Sequence, residues 1–121
     1  MSTRNWTEQQ NEAIRTCGMG LLVSAAAGSG KTSVLSERCA HLVCSADDRC
    51  HINQLLVVTF TELAAAEMRS RIEQAIRTRA AGSSDPHLLR QLKLVEHAQV
   101  STLHAFCQRL LRQHFNRLEL D

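Results

Sequence analysis

Aromatic residues are nearly absent: three Phe, one Trp and no Tyr make up 3% of the 121 residues. Any interior must therefore be built from Leu, Val, Ile and Ala. Nor is there an apolar run near the roughly 20 residues that a membrane-spanning helix needs. The opening MSTRNWTEQQ also lacks the apolar stretch of a secretory signal. Internal repeats and low-complexity segments are missing too. With 44% hydrophobic and 21% charged residues, these absences leave at most one globular domain. No membrane association is expected, and a cytoplasmic location is.

A CxxC pair is likewise lacking among Cys17, Cys39, Cys44, Cys50 and Cys107. An odd set of thiols without a secretory signal argues against a disulfide framework. His41, Cys44, Cys50 and His51 are metal-capable, but their spacing fits no zinc pattern, so small buried thiols are expected instead. Net charge is only +2, and it is unevenly spread. Residues 1–62 carry five basic and six acidic side chains, and residues 63–121 carry nine and six. Twelve of the fourteen basic residues are Arg, which suits bidentate phosphate contact. A solvated helix surface accounts for this charge equally well, so nucleic acid is permitted by it and no more.

Leu21–Ala25 is a short apolar run ending at a Gly-containing turn and predicts a buried strand. A helix is expected from Lys31 to about Cys44, then a polar break at residues 45–48. Residues 55–60, LLVVTF, are continuous, β-branched and apolar, and predict a strand covered on both faces. From about Glu62 to Ala80, Met68, Ile72 and Ile76 recur four apart with the Arg residues mostly off that stripe, which predicts an amphipathic helix. Residues 82–86 punctuate the chain, a helix over 88–96 follows, residues 99–102 form a third strand, and a last helix covers 103–118. This alternation predicts an α/β fold with a parallel sheet flanked by helices, incomplete at three strands and so the first part of a larger domain.

Ala25-Ala26-Ala27-Gly28-Ser29-Gly30-Lys31-Thr32 fits the phosphate-loop (Walker A) pattern between a predicted strand and a predicted helix. Gly28 and Gly30 allow the tight turn that points backbone N–H groups at phosphates. Lys31 reaches the β- and γ-phosphates, and the Thr32 hydroxyl faces Mg²⁺. The helix N-terminus adds its partial positive charge. ATP and Mg²⁺ are the expected ligands, although a plain Gly/Ser turn before a helix would look similar.

Other segments narrow the class. Residues 6–14, WTEQQNEAI, resemble the Q motif of superfamily 1 helicases, with Gln10 at the adenine-reading position. A Gln amide both donates and accepts, which matches the adenine N6 and N7 edge. Alone, Gln10 would be a solvated helix residue. Residues 59–68, beginning Thr59-Phe60-Thr61, resemble motif Ia, and residues 100–107, containing Ser101-Thr102-Leu103-His104, resemble motif Ib. In that family both segments line a single-stranded DNA channel. The resemblance implies DNA contacts at Thr59, Phe60, Thr61, Ser101, Thr102 and His104, with Phe60 stacking on a base. The competing readings are a core Phe60, Thr residues that cap helices, and a structural His104.

The chain is thus similar to superfamily 1A (UvrD/Rep-like) DNA helicases with a P-loop, RecA-like first domain. The Trp6-Thr7 opening, the triple Ala and LLVVTFT look most like AddA subunits of AddAB-type helicase–nucleases and their RecB relatives. The resemblance implies ATP-driven 3′-to-5′ movement on single-stranded DNA during break repair, and a second subunit of the AddB type. Glu62 departs from the Asn common in the UvrD/PcrA pattern and would repel phosphate, so it is left out of the DNA contacts. No Asp-Glu pair follows an apolar strand. The water-positioning carboxylate, the second motor domain and any nuclease motif are expected after Asp121, and the 121 residues alone are expected to be inactive. A UvrD/PcrA- or RecB-type helicase, a non-motor ATP-binding module and a nucleotide kinase are the alternatives.

Overall fold

The structure, a computed structural model, describes residues 5–26, 30–47 and 49–117. Helix α1, Glu8–Arg15, begins on a reciprocal cap. The Gln10 N–H donates to Thr7 Oγ1 at 3.2 Å, and the Thr7 N–H donates to Gln10 Oε1 at 2.9 Å. Helical periodicity does not announce α1, but Thr7-x-x-Gln10 has the capping-box spacing. Helix α2, Lys31–Cys44, keeps the expected bounds and follows Gly30, whose left-handed φ of 85° suits a residue without Cβ. Strand β1, Leu56–Thr59, leads into α3, Glu62–Ala80, where the Thr61 hydroxyl accepts the Ala64 N–H. Helix α4, Pro86–Leu94, starts on an Asp85 cap with Pro at its beginning. Strand β2, Gln99–Thr102, passes directly into α5, Leu103–Gln113.

β1 and β2 pair in parallel, with Leu56 opposite Gln99 and Thr59 opposite Thr102. Helices α3 and α4 form the crossover that parallel strands require. The core lies between this sheet, α3, α4 and α2. Met68, Ile72 and Ile76 are 4%, 1% and 0% exposed, so the predicted stripe is the buried one, and Val43, Ile52, Val57 and Val100 pack with it. A fully buried Gln91 closes one end of this core. Its Oε1 accepts the Ile52 N–H and its Nε2 donates to His51 Nδ1, both at 2.8 Å. This satisfies a backbone donor that the core would otherwise strand.

All four arginines of α3 are engaged inside the fold. Arg69 donates to the Val100 carbonyl at 2.6 Å, Arg77 pairs with Glu73, and Arg79 pairs with Glu37 on α2. Arg71 forks between Glu67 and the Ser33 hydroxyl at the start of α2. The excess positive charge of the second half is therefore largely fold-bearing.

Several expectations need correction. Residues 21–25 form no strand: the described sheet holds only β1 and β2, and the segment has no paired edge beside it. Leu22 is 95% exposed as a result. β1 is covered on one face only. Val57 is buried while Leu56 and Val58 open onto a groove shared with Leu35, Cys39 and Leu42 of α2. Helix α5 ends at Gln113 because the chain tightens into a 3-10 turn over Phe115–Arg117, and Leu118 lies outside the described residues. Of the thiols only Cys39 and Cys44 are buried. Cys17 and Cys107 are exposed, because α1 ends before the first and α5 turns the second outward.

Candidate functional site

Of the phosphate-loop pattern, Ala25, Ala26, Gly30, Lys31 and Thr32 are described, and Ala27, Gly28 and Ser29 lie outside the described residues. The first turn of α2 has no side-chain cap, so its leading N–H groups remain directed at whatever occupies the loop. Lys31 and Thr32 are exposed, and Lys31 makes no ion pair among the described residues.

A cavity of about 400 Å³ opens beside them. Gln10 and Ala13 of α1, Ala25 of the loop, and Lys31, Val34 and Arg38 of α2 contribute to its wall. Two cations and no carboxylate line it among the described residues, which gives it the electrostatics of an anion site. Gln10 comes close to the loop: a methyl on Gly30 would stand 3.9 Å from its Nε2. Since the capping box ties Oε1 to Thr7, the Gln10 amide is oriented before any ligand arrives. The same box that starts α1 thus presents the donor and acceptor of an amide-reading edge.

Arg38 belongs to none of the motifs. Its Nη1 donates to the carbonyls of Ala13 at 2.9 Å and Thr16 at 2.6 Å, at the end of α1. The signal the sequence does carry is its position, two helical turns after Lys31 and on the same face.

Beside the groove between α2 and β1, burial pushes the Cys39 thiol up to about 11, and burial also raises Cys44. Neither is a reactive thiolate at neutral pH. Burial, followed by the charges of Arg15, Arg79 and Arg38, holds His41 below its ordinary value.

The second group of predicted residues collects at the C-terminal edge of the sheet. The parallel register sets Thr59 opposite Thr102, which brings residues 59–61 beside residues 101–104. Phe60 is 92% exposed, which overturns the core reading for this residue. Thr59 Oγ1 donates to the Thr61 carbonyl at 3.2 Å, and Ser101 Oγ accepts from Arg109 at 3.4 Å. His104 is exposed, and its Nε2 accepts from Gln108 of the same helix at 3.3 Å. Thr61 and Thr102 both cap helices, in line with the competing reading. Thr61 is exposed and its hydroxyl keeps a proton to donate, whereas Thr102 is only 6% exposed.

Residues 6–121 match the UvrD/REP helicase N-terminal domain. Proteins named as the A subunit of an ATP-dependent helicase/nuclease are similar over nearly the whole chain. The Syntrophomonas wolfei protein is 50% identical over 118 residues, which is 97% of this chain and 9% of that protein. The Alkaliphilus oremlandii protein is 47% identical over 120 residues, 98% of this chain and 10% of its own. That of Desulforamulus reducens is 48% identical over 124 residues, with 100% and 10% covered. The chain thus spans about a tenth of the length of these curated relatives.

Proposed function

Because the chain belongs to the UvrD/REP helicase N-terminal domain family, we propose that it is the nucleotide-binding opening of an ATP-driven DNA helicase–nuclease subunit of the AddA kind. The observation that carries this reading is the cavity in which Gln10 and Lys31 face one space lined by cations and free of carboxylates. The residues fit MgATP. Lys31 would hold the β- and γ-phosphates, Thr32 would offer its hydroxyl to Mg²⁺, and the first-turn N–H groups of α2 would bind phosphate oxygens. Residues 25–32 would wrap the phosphates as a Walker A loop of a RecA-like P-loop fold, and Gln10 would read adenine through both sides of its amide. ATP, when bound, supplies the free energy of γ-phosphoryl transfer to water.

The C-terminal edge completes the reading as a single-strand DNA face. Phe60 stands out as a stacking platform, with Thr59, Thr61, Ser101 and His104 around it as phosphate or sugar contacts and Thr102 setting the start of α5. The relatives' name supports a cytoplasmic motor with a second subunit, of the AddB type, that works on single- and double-stranded DNA. The test is a titration with fluorescent ATP and Mg²⁺. Lys31→Ala should weaken binding by about tenfold or more, the scale of a lost charge-assisted contact. It should leave the melting temperature unchanged, since Lys31 is exposed. Equal affinity in the two proteins overturns the assignment.

A further inference from the structure

Helix α1 is eight residues long, too short to persist without tertiary support. Among the described residues its main neighbour is α2. The apolar contact is small: Ala13 and Ile14 against Val34, with Trp6 packed alongside. The other fastening is Arg38, whose single Nη1 holds two carbonyls at the end of α1. These carbonyls belong to the negative end of the helix dipole, where a guanidinium is most favourable.

Spacing gives this bond a functional meaning. Gln10 precedes Ala13 by three positions and shares its face of α1, while Lys31 and Arg38 share one face of α2. All four line the same cavity. The Arg38 bridge therefore sets the separation between Gln10, which faces the base, and Lys31, which faces the phosphates. From this geometry we infer that Arg38 is a positioning residue for base recognition: it locks α1 against α2 so that the Gln10 amide meets the purine while Lys31 holds the triphosphate. This rests on the nucleotide reading above and adds to it the device that makes a triphosphate site selective for its base.

The experiment compares Mg²⁺-bound ATP, GTP and inorganic tripolyphosphate on the full 121-residue chain, as wild type, Arg38→Met, Arg38→Lys, Gln10→Ala and the Gln10→Ala/Arg38→Met double variant. Arg38→Met should weaken ATP by about tenfold, the scale of one lost positioned contact. Tripolyphosphate binding should hold within about twofold, and the preference for ATP over GTP should fall toward unity. Gln10→Ala should behave alike, and the double variant should add nothing, because the two residues act as one unit. Trp6, the only Trp in the chain, gives a readout without nucleotide: its emission should shift to the red as α1 loosens in Arg38→Met. Arg38→Lys, which keeps the cation at the helix end, should lie between wild type and Arg38→Met and covers the case in which Met prevents folding. Additive losses in the double variant, equal weakening of ATP and tripolyphosphate, or an unchanged base preference would each overturn the positioning role. A wild-type chain that binds none of the three ligands overturns the nucleotide reading itself, and the role of Arg38 with it.

Discussion

Val57 is 7% exposed and Leu22 is 95% exposed, although each lies in a short run of Leu and Val residues. Around Val57, α3 and α4 carry the chain back so that β2 pairs alongside β1, and α3 seals one face. Around Leu22 there is no strand to pair with among the described residues, and Met19, Leu21 and Val23 stay exposed as well. The difference is not intrinsic β-propensity, since both runs have it. A strand is a property of a backbone edge and the partner that satisfies it, and apolar side chains are buried only when a second layer arrives. An exposed cluster of this size has the character of an interaction surface.

The contrast is broken most strongly by truncating apolar residues on either side of it. Ile76→Ala, at a site with 0% exposure, should cost about 2–5 kcal/mol in denaturant-induced unfolding. Leu22→Ala should move stability by no more than about 0.5 kcal/mol, as for exposed positions in general. A smaller effect is expected at Gln91, where the buried amide supports Ile52 and His51. Gln91→Leu leaves the Ile52 N–H without its partner and should cost about 1–3 kcal/mol. Comparable in size but different in kind is Phe60→Ala. It should weaken single-strand DNA binding by about 1–3 kcal/mol, the range for one stacked base. Thermal stability should be unaffected, because Phe60 is 92% exposed. A lower melting temperature with unchanged affinity would remove Phe60 from the DNA face.

The smallest effect concerns pH. His41 is held below its ordinary value of 6.5, chiefly by burial and then by neighbouring arginines. Protonation is thus easier in the unfolded chain. The contribution is complete above pH 6.5 and is lost as pH falls through the lower folded value. His41→Gln should flatten the stability profile in that acid window, as measured by melting temperature across a buffer series.

How much could be known in advance follows the same division. Helices α2 and α3 and strand β2 have the expected bounds, because Lys31 after Gly30, the Met68–Ile72–Ile76 stripe and the Thr102 cap are local signals. Helix α1 is legible only through its capping box, since Glu8–Arg15 buries just Ala13 and Ile14 and has too little apolar pattern. Residues 21–25 mislead because pairing is decided by residues distant in sequence. At the site, motif spacing picks out Gln10, Lys31 and Phe60. The Arg38 bridge is hidden because a side chain's reach to carbonyls over twenty positions away leaves no trace in composition. The use of the α3 arginines as internal ties is hidden for the same reason.

One of those ties has a mechanical consequence. Arg71 grips Glu67 on its own helix and, through Nη1, the Ser33 hydroxyl at 2.8 Å. Ser33 adjoins Thr32, while Glu67 lies a turn and a half beyond the Thr61 cap. The guanidinium is therefore a tie rod between the turn beside the cavity and the helix that carries the Phe60 edge. Strain applied at either end is borne by both, and the two ends fluctuate as one stiff frame rather than as independent loops.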